Sequence, residues 1–209
     1  FNYLFFYFWL KKKSFKIKKN INFGSEIANK FFLSKIKQIN YYLEFGSGSS
    51  TILADSINKN YLSIELDKSF FNQIIKDIKN KEKIILINIG PTKYDSIPLI
   101  PLFFLKKKIN EYSKSVLKFN NFYKVFPELI LIDGRFRVLI CLKILNLMLE
   151  KKFDSQIVLD DFSKREYYHL LNNYFHIKLY GRMGYLIRKD FIDLNRLKKD
   201  IMKYTNDYR

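Results

Sequence analysis

Apolar positions along the chain follow two rhythms, which alternate. In SEIANKFFLSKIKQI, residues 25–39, Ile27, Phe31, Phe32, Ile36 and Ile39 recur at helical spacing behind Ser25, whose hydroxyl suits a helix N-cap. YYLEF, 41–45, is a short apolar run stopped by Gly46 and predicts a strand. The pattern repeats: helix from 50 to 58, strand 61–66, and a helix over 68–80 that puts Phe70, Phe71, Ile74, Ile75 and Ile78 on one face. A third strand, 83–90, ends at Gly90-Pro91. One helix is predicted near 101–119. A fourth strand at 128–133 precedes a helix whose face carries Phe136, Leu139, Ile140, Ile144, Leu147 and Met148. A fifth strand at 156–161, a helical stretch at 163–173, two strands within 176–189 around Gly181 and Gly184, and a polar helical tail after Asp190 complete the chain.

Strands alternating with helices predict βαβ units and a mostly parallel sheet covered on both faces. The last two strands, with no helix between them, predict an antiparallel hairpin at one edge. The fold class is therefore α/β: a Rossmann-like, doubly wound sheet. It occupies residues 24–190, between an apolar and basic segment at 1–23 and a polar tail at 191–209.

Composition changes this picture little. With 209 residues and 48% hydrophobic content, the chain can bury the core of one domain. A single cysteine, Cys141, within an apolar helix face, excludes a disulfide framework or a multi-cysteine zinc site and suits a reducing, cytoplasmic setting. The net charge of +18 admits a nucleic-acid or anionic-membrane partner. However, Lys, Ile, Asn, Phe and Tyr share A/T-rich codons, and the lysines are scattered, so composition alone accounts for much of the charge. FNYLFFYFWL at 1–10, followed by three lysines, reads as a segment packed on the domain or as the tail of a membrane anchor; packing is the preferred reading.

The chemistry gathers where the first strand ends. In an open parallel sheet, ligands bind beyond the carboxyl ends of the strands, where strand order reverses. Gly46 and Gly48 in EFGSGSST permit a tight turn and close backbone approach. Glu65, closing the second strand, can accept both hydroxyls of a ribose. A dinucleotide fingerprint needs a third glycine where this chain has Thr51, and Glu44 beside the turn disfavours a pyrophosphate. S-adenosylmethionine (SAM) carries a sulfonium, an amine and a ribose but no phosphate, and matches better.

LEFGSGSST followed by SIELD resembles the first two motifs of class I SAM-dependent methyltransferases. NIGPT at 88–92, LILIDGRFR at 129–137 and IVLDDFSKREYY at 157–168 are similar to a poorly characterised branch of that superfamily, over residues 24–190. The resemblance implies that Glu44, Gly46, Ser47, Gly48 and Ser50 cradle the amino-acid end of SAM, that Glu65 holds the ribose, and that Asn88 and Gly90 border the adenine.

Asp133, Asp160 and Asp161 end the fourth and fifth strands and are expected to converge on the same edge, with Arg135 and His169 near it. Two readings stay open. The acids hold Mg²⁺, or Asp133 contacts the SAM amine or positions the acceptor without metal; the second is preferred. Arg135 and Arg137 follow Asp133 at a helix start, where a cation needs an anionic partner, either a substrate group or Asp133, Asp160 or Glu166. The function expected is SAM-dependent methylation, with oxygen on a small molecule or glycan as acceptor. The alternatives are a binding domain of the same fold that takes SAM or a nucleotide without methylating, and a basic RNA-modifying or nucleic-acid-binding protein. No nucleic-acid motif and no Asn-Pro-Pro-Tyr signature supports the last.

Overall fold

A computed structural model describes residues 20–93 and 96–209. The expectations for residues 1–13, including membrane contact, fall outside them. Seven strands form one sheet: β1 (Tyr41–Phe45), β2 (Asn60–Glu65), β3 (Ile84–Leu86), β4 (Leu129–Ile132), β5 (Gln156–Leu159), β6 (Phe175–Tyr180) and β7 (Met183–Arg188). Their order is β3-β2-β1-β4-β5-β7-β6. The first five run parallel, and β7 lies antiparallel between β5 and β6. The α/β architecture and the closing hairpin agree with the sequence. Strand order reverses between β1 and β4, so the turns after these two strands face each other.

Side chains alternate across the sheet with the period of two that strands impose. Leu43, Phe45, Leu62, Ile64, Ile130, Ile132, Ile157 and Leu159 face one layer. That layer holds α4 (Leu102–Ser113), α5 (Ser115–Tyr123), α6 (Arg137–Lys151) and α7 (Leu194–Tyr204). Tyr42, Tyr61, Leu129, Leu131 and Val158 face the other, beneath α1 (Glu26–Gln38) and Ala54 of α2 (Ser49–Ser56). A third, small cluster seats α3 (Lys68–Ile74) against Ile84.

Ser25 caps α1 as expected, its hydroxyl accepting the Ala28 N–H. The α1 face is rotated slightly from the predicted one: Ala28 is buried, and Ile27 stands in solvent. The helix predicted at 101–119 is two helices joined at Lys114, whose N–H bonds to the carbonyls of both Asn110 and Glu111. The stretch at 163–173 winds into 3₁₀ turns rather than an α-helix. The third strand is shorter than its apolar run, because Ile87 and Ile89 bond onward to Glu65 and Leu66 outside the regular ladder. Among the described residues no helix is long and apolar enough to cross a membrane.

Candidate functional site

The loops after β1, β2, β4 and β5 enclose a cavity of about 310 Å³ at the strand-order reversal. Its centre is a contact between two glycines. Gly46 has φ +97°, and a Cβ there would lie 2.7 Å from the Gly134 nitrogen. Gly134 is bounded in turn by the Tyr112 hydroxyl and the Phe45 carbonyl. The backbone therefore forms the floor, and it admits no side chain at either position.

On the β2 side, Glu65 opens into the cavity from an almost fully buried position. Its carboxylate accepts N–H groups from Ser47, Leu66 and Asp67, each at 2.8 Å, which ties the β1 turn to the β2 end. Burial pushes the Glu65 carboxyl up to about 7, against the pull of these three N–H groups. A folded-state value above the ordinary 4.5 means that stability from the protonated form is fully present below 4.5 and is lost as pH rises through 7. In urea unfolding across that window, the wild type is expected to lose stability with rising pH and Glu65→Gln to lose less. Parallel slopes would refute this role for Glu65.

Glu44 occupies a different place from the one expected. It is fully buried on the face toward α2, away from the cavity lining, and it accepts from Tyr42, Ser50 and Thr51 hydroxyls. Burial raises its carboxyl, and the hydroxyl donors oppose that rise. Thr51 joins two groups at the start of α2: its hydroxyl donates to Glu44 and accepts the Gly48 N–H. Glu44 and Ser50 thus support the turn from below and do not line the cavity. Gly48, Asn88 and Gly90 are not in the lining either, and Asn88 caps the Gly90 N–H through its own side chain. Leu66, Phe70 and Ser96 flank Glu65 instead.

On the β4 and β5 side, Asp133, Arg135, Asp160 and Asp161 line the cavity as expected. Arg137, Arg165 and Arg182 join them. Arg182 grips Asp160 through two bonds, 2.7 and 3.1 Å, and approaches Asp161 at 3.2 Å. Arg165 bonds to Asp161 at 3.2 Å and to the Tyr167 hydroxyl at 2.7 Å. Arg137, at the first position of α6, turns back to donate to the carbonyls of Asp133, Gly134 and Asp160 and pairs with the Asp133 carboxylate at 3.1 Å. The unfavourable cation at a helix start is thereby offset. Loss of water, with Asp160 and Asp161 close by, raises the Asp133 carboxyl to about 7, and Arg137 pulls it down.

These pairings show what the three acids face among the described residues. Asp160 and Asp161 already face guanidinium groups, and no group of three or more Asp, Glu, His or Cys among the described residues is placed to hold a metal. The candidate ligands Asp133, Asp160 and Asp161 form an ion-pair network instead. His169 stands apart from this network. It is exposed, outside the lining, with its ring 5.9 Å from that of Phe162.

Two further features complete the wall. Phe136 and Asp161, the residues that turn the chain after β4 and β5, both adopt left-handed backbone, φ +61° and +60°. The N–H groups of Phe136 and Arg137 bond to the carbonyls of Tyr208 and Arg209, while the Arg209 guanidinium stacks 4.5 Å over the Tyr167 ring. The segment 207–209 therefore braces the outside of the site. Tyr112 reaches the floor from α4, fully buried, and its hydroxyl has no hydrogen-bond partner among the described residues. Sequence reasoning misses Arg165, Arg182, Tyr112 and the tail. Arg182, Tyr112 and the tail lie outside every motif. Arg165 lies within IVLDDFSKREYY, but nothing in its spacing marks it as the partner of Asp161.

No protein-family model matches this chain, and no curated protein matches it. Among solved structures, the chain is similar to a crystal structure of a methyltransferase-like protein from Silicibacter pomeroyi. The two are 20% identical, with a TM-score of 0.72, over 91% of this chain and 100% of that one. At that identity the likeness speaks for the fold: this chain has the fold of a methyltransferase-like protein.

Proposed function

We propose that this protein is a SAM-dependent methyltransferase, acting in the cytoplasm on an oxygen of a small molecule or glycan. The observation that carries the reading is the cavity itself. A side-chain-free floor made by Gly46 and Gly134 lies beside a buried carboxylate, Glu65, at the strand-order reversal. The opposite wall carries three acids and four arginines, so the preference for SAM rests on the glycine floor beside Glu65 and not on the charge of that wall.

In this reading SAM supplies an electrophilic methyl group. Glu65 has accepting capacity beyond its three N–H partners and takes ribose hydroxyls. The turn at Gly46 and Ser47 receives the amino-acid end, and Asp133 faces its amine or the acceptor. With a carboxyl near 7, Asp133 is suited to take the proton that leaves an acceptor hydroxyl at neutral pH. Asp160 and Asp161, held by Arg182 and Arg165, shape the acceptor side. In-line displacement needs the two reacting atoms held in register, which a rigid ion-pair wall provides.

Calorimetric titration with S-adenosylhomocysteine tests the cofactor. Micromolar affinity is expected, lost in Glu65→Ala, with NAD binding far more weakly. A folded sample that does not bind S-adenosylhomocysteine would end the methyltransferase reading.

A further inference from the structure

The start of α4 presents two large aromatic side chains to solvent. Residues 97–105 read IPLIPLFFL: Leu105 is buried, Ile100 and Leu102 are half-buried against the core, and Pro101, Phe103 and Phe104 stand in solvent. Phe103 and Phe104 are 68% and 73% exposed, side by side on the outer face of α4. Their rings pack edge to face at 5.5 Å. Three lysines follow at 106–108, all exposed, against a single acid on α4, Glu111. Isolated exposed apolar residues are ordinary on a protein surface; a pair of adjacent exposed aromatic rings bounded by three cations is not.

We propose that residues 97–108 are a docking segment for an anionic lipid surface. Aromatic and aliphatic side chains beside lysines are the composition of segments that lie in the headgroup layer without spanning it. Charge supports a lipid surface over the other occupants. In a chain of net charge +18, a second copy would bring its own lysines against these. A nucleic-acid strand would use the lysines and would need the two exposed rings, Phe103 and Phe104, as stacking faces. One face of Phe103 is also covered by the Lys106 ammonium at 4.7 Å, which leaves a poor stacking platform. The sequence repeats the motif: FNYLFFYFWL at 1–10 is likewise followed by KKK. Ser96, next to the segment, lines the cavity, so docking brings the cavity wall to the lipid surface.

This inference is independent of the methyl-transfer reading, and its test involves no SAM. The full chain is mixed at low salt with phosphatidylcholine vesicles, with and without phosphatidylserine, and bound protein is recovered by flotation. Binding is expected to the anionic vesicles and to fall steeply with salt. Phe103→Ser with Phe104→Ser should weaken it about tenfold or more. Lys106→Glu with Lys107→Glu should weaken it by at least about fivefold per lysine. Phe191→Ser, at an exposed aromatic elsewhere, should leave it unchanged. All these side chains are exposed, so the thermal midpoint should not move. Absence of vesicle binding, or binding indifferent to the Phe103 and Phe104 changes, would overturn the proposal. Salt-sensitive capture of a single-stranded oligonucleotide, lost in the same variant while vesicles are ignored, would replace it with a nucleic-acid surface.

Discussion

Gly46→Ala is expected to cost about 3 kcal/mol of stability and to abolish S-adenosylhomocysteine binding, whereas Gly48→Ala, two residues on, should be nearly silent in urea unfolding. The contrast follows from backbone geometry. Gly46 holds φ +97°, a conformation that costs an L-residue about 1–2 kcal/mol. Its Cβ would sit 2.7 and 2.8 Å from the nitrogen and Cα of Gly134, and overpacking of that kind adds about 1–3 kcal/mol. The obstacle is backbone, which cannot rotate aside. Relief would require β1 and β4 to separate at their ends, and these strands are in register from Tyr42↔Leu129 to Phe45↔Ile132. Gly48 has extended backbone, φ −175°, and its Cβ would meet nothing within 4 Å. If both variants behaved alike, in stability or in binding, the two-glycine floor would not be what sets the site.

Arg137→Leu is the second large effect, at about 4 kcal/mol. The side chain is almost wholly enclosed and serves three carbonyls and two carboxylates, Asp133 at 3.1 Å and Asp161 at 3.8 Å. Leucine fills part of the volume but leaves those acceptors without their donor, at about 1–3 kcal/mol for each one that water cannot reach. The deficit should depend on pH. Asp133 already has a folded-state carboxyl near 7, above its ordinary 3.8, so its stabilisation is present below 3.8 and disappears as pH rises through 7. Arg137 opposes that rise. Without it the Asp133 carboxyl moves higher still, and the loss should be greater at about pH 8 than at about pH 5, where Asp133 is protonated. A deficit equal at both pH values would mean that Arg137 works through the carbonyls alone. A deficit below about 1 kcal/mol would mean that the β4 and β5 ends do not depend on it.

About half of this site is legible in the sequence. The β1 turn and Glu65 are legible because turn, strand and acid fall within about twenty consecutive residues, where local spacing is almost spatial spacing. Asp133, Asp160 and Asp161 are legible because parallel strands deliver their ends to one edge. Register is the limit. Glu44 lies two residues from the turn, yet it sits on the same side as Tyr42, facing α2, and the cavity lies on neither side of the strand but beyond its end. Arg182 belongs to the β6–β7 turn and reaches Asp160 only because β7 inserts next to β5. Nothing in the local spacing encodes that insertion. The same holds for the acid pairings: a sequence shows three aspartates in suitable places but not which guanidinium groups have already taken them.

The brace formed by residues 207–209 has a consequence for synthesis. Domains form as they emerge from the ribosome, N-terminal parts first. A nascent chain that has released β1 to β5 possesses both glycines, Glu65 and every acid of the cavity. The N–H groups of Phe136 and Arg137 still lack the Tyr208 and Arg209 carbonyls at that stage. The turn that holds Asp133 and Gly134 is thus closed by a segment translated well after both edge strands, and its final geometry should be acquired in one step when that segment arrives, rather than growing with chain length.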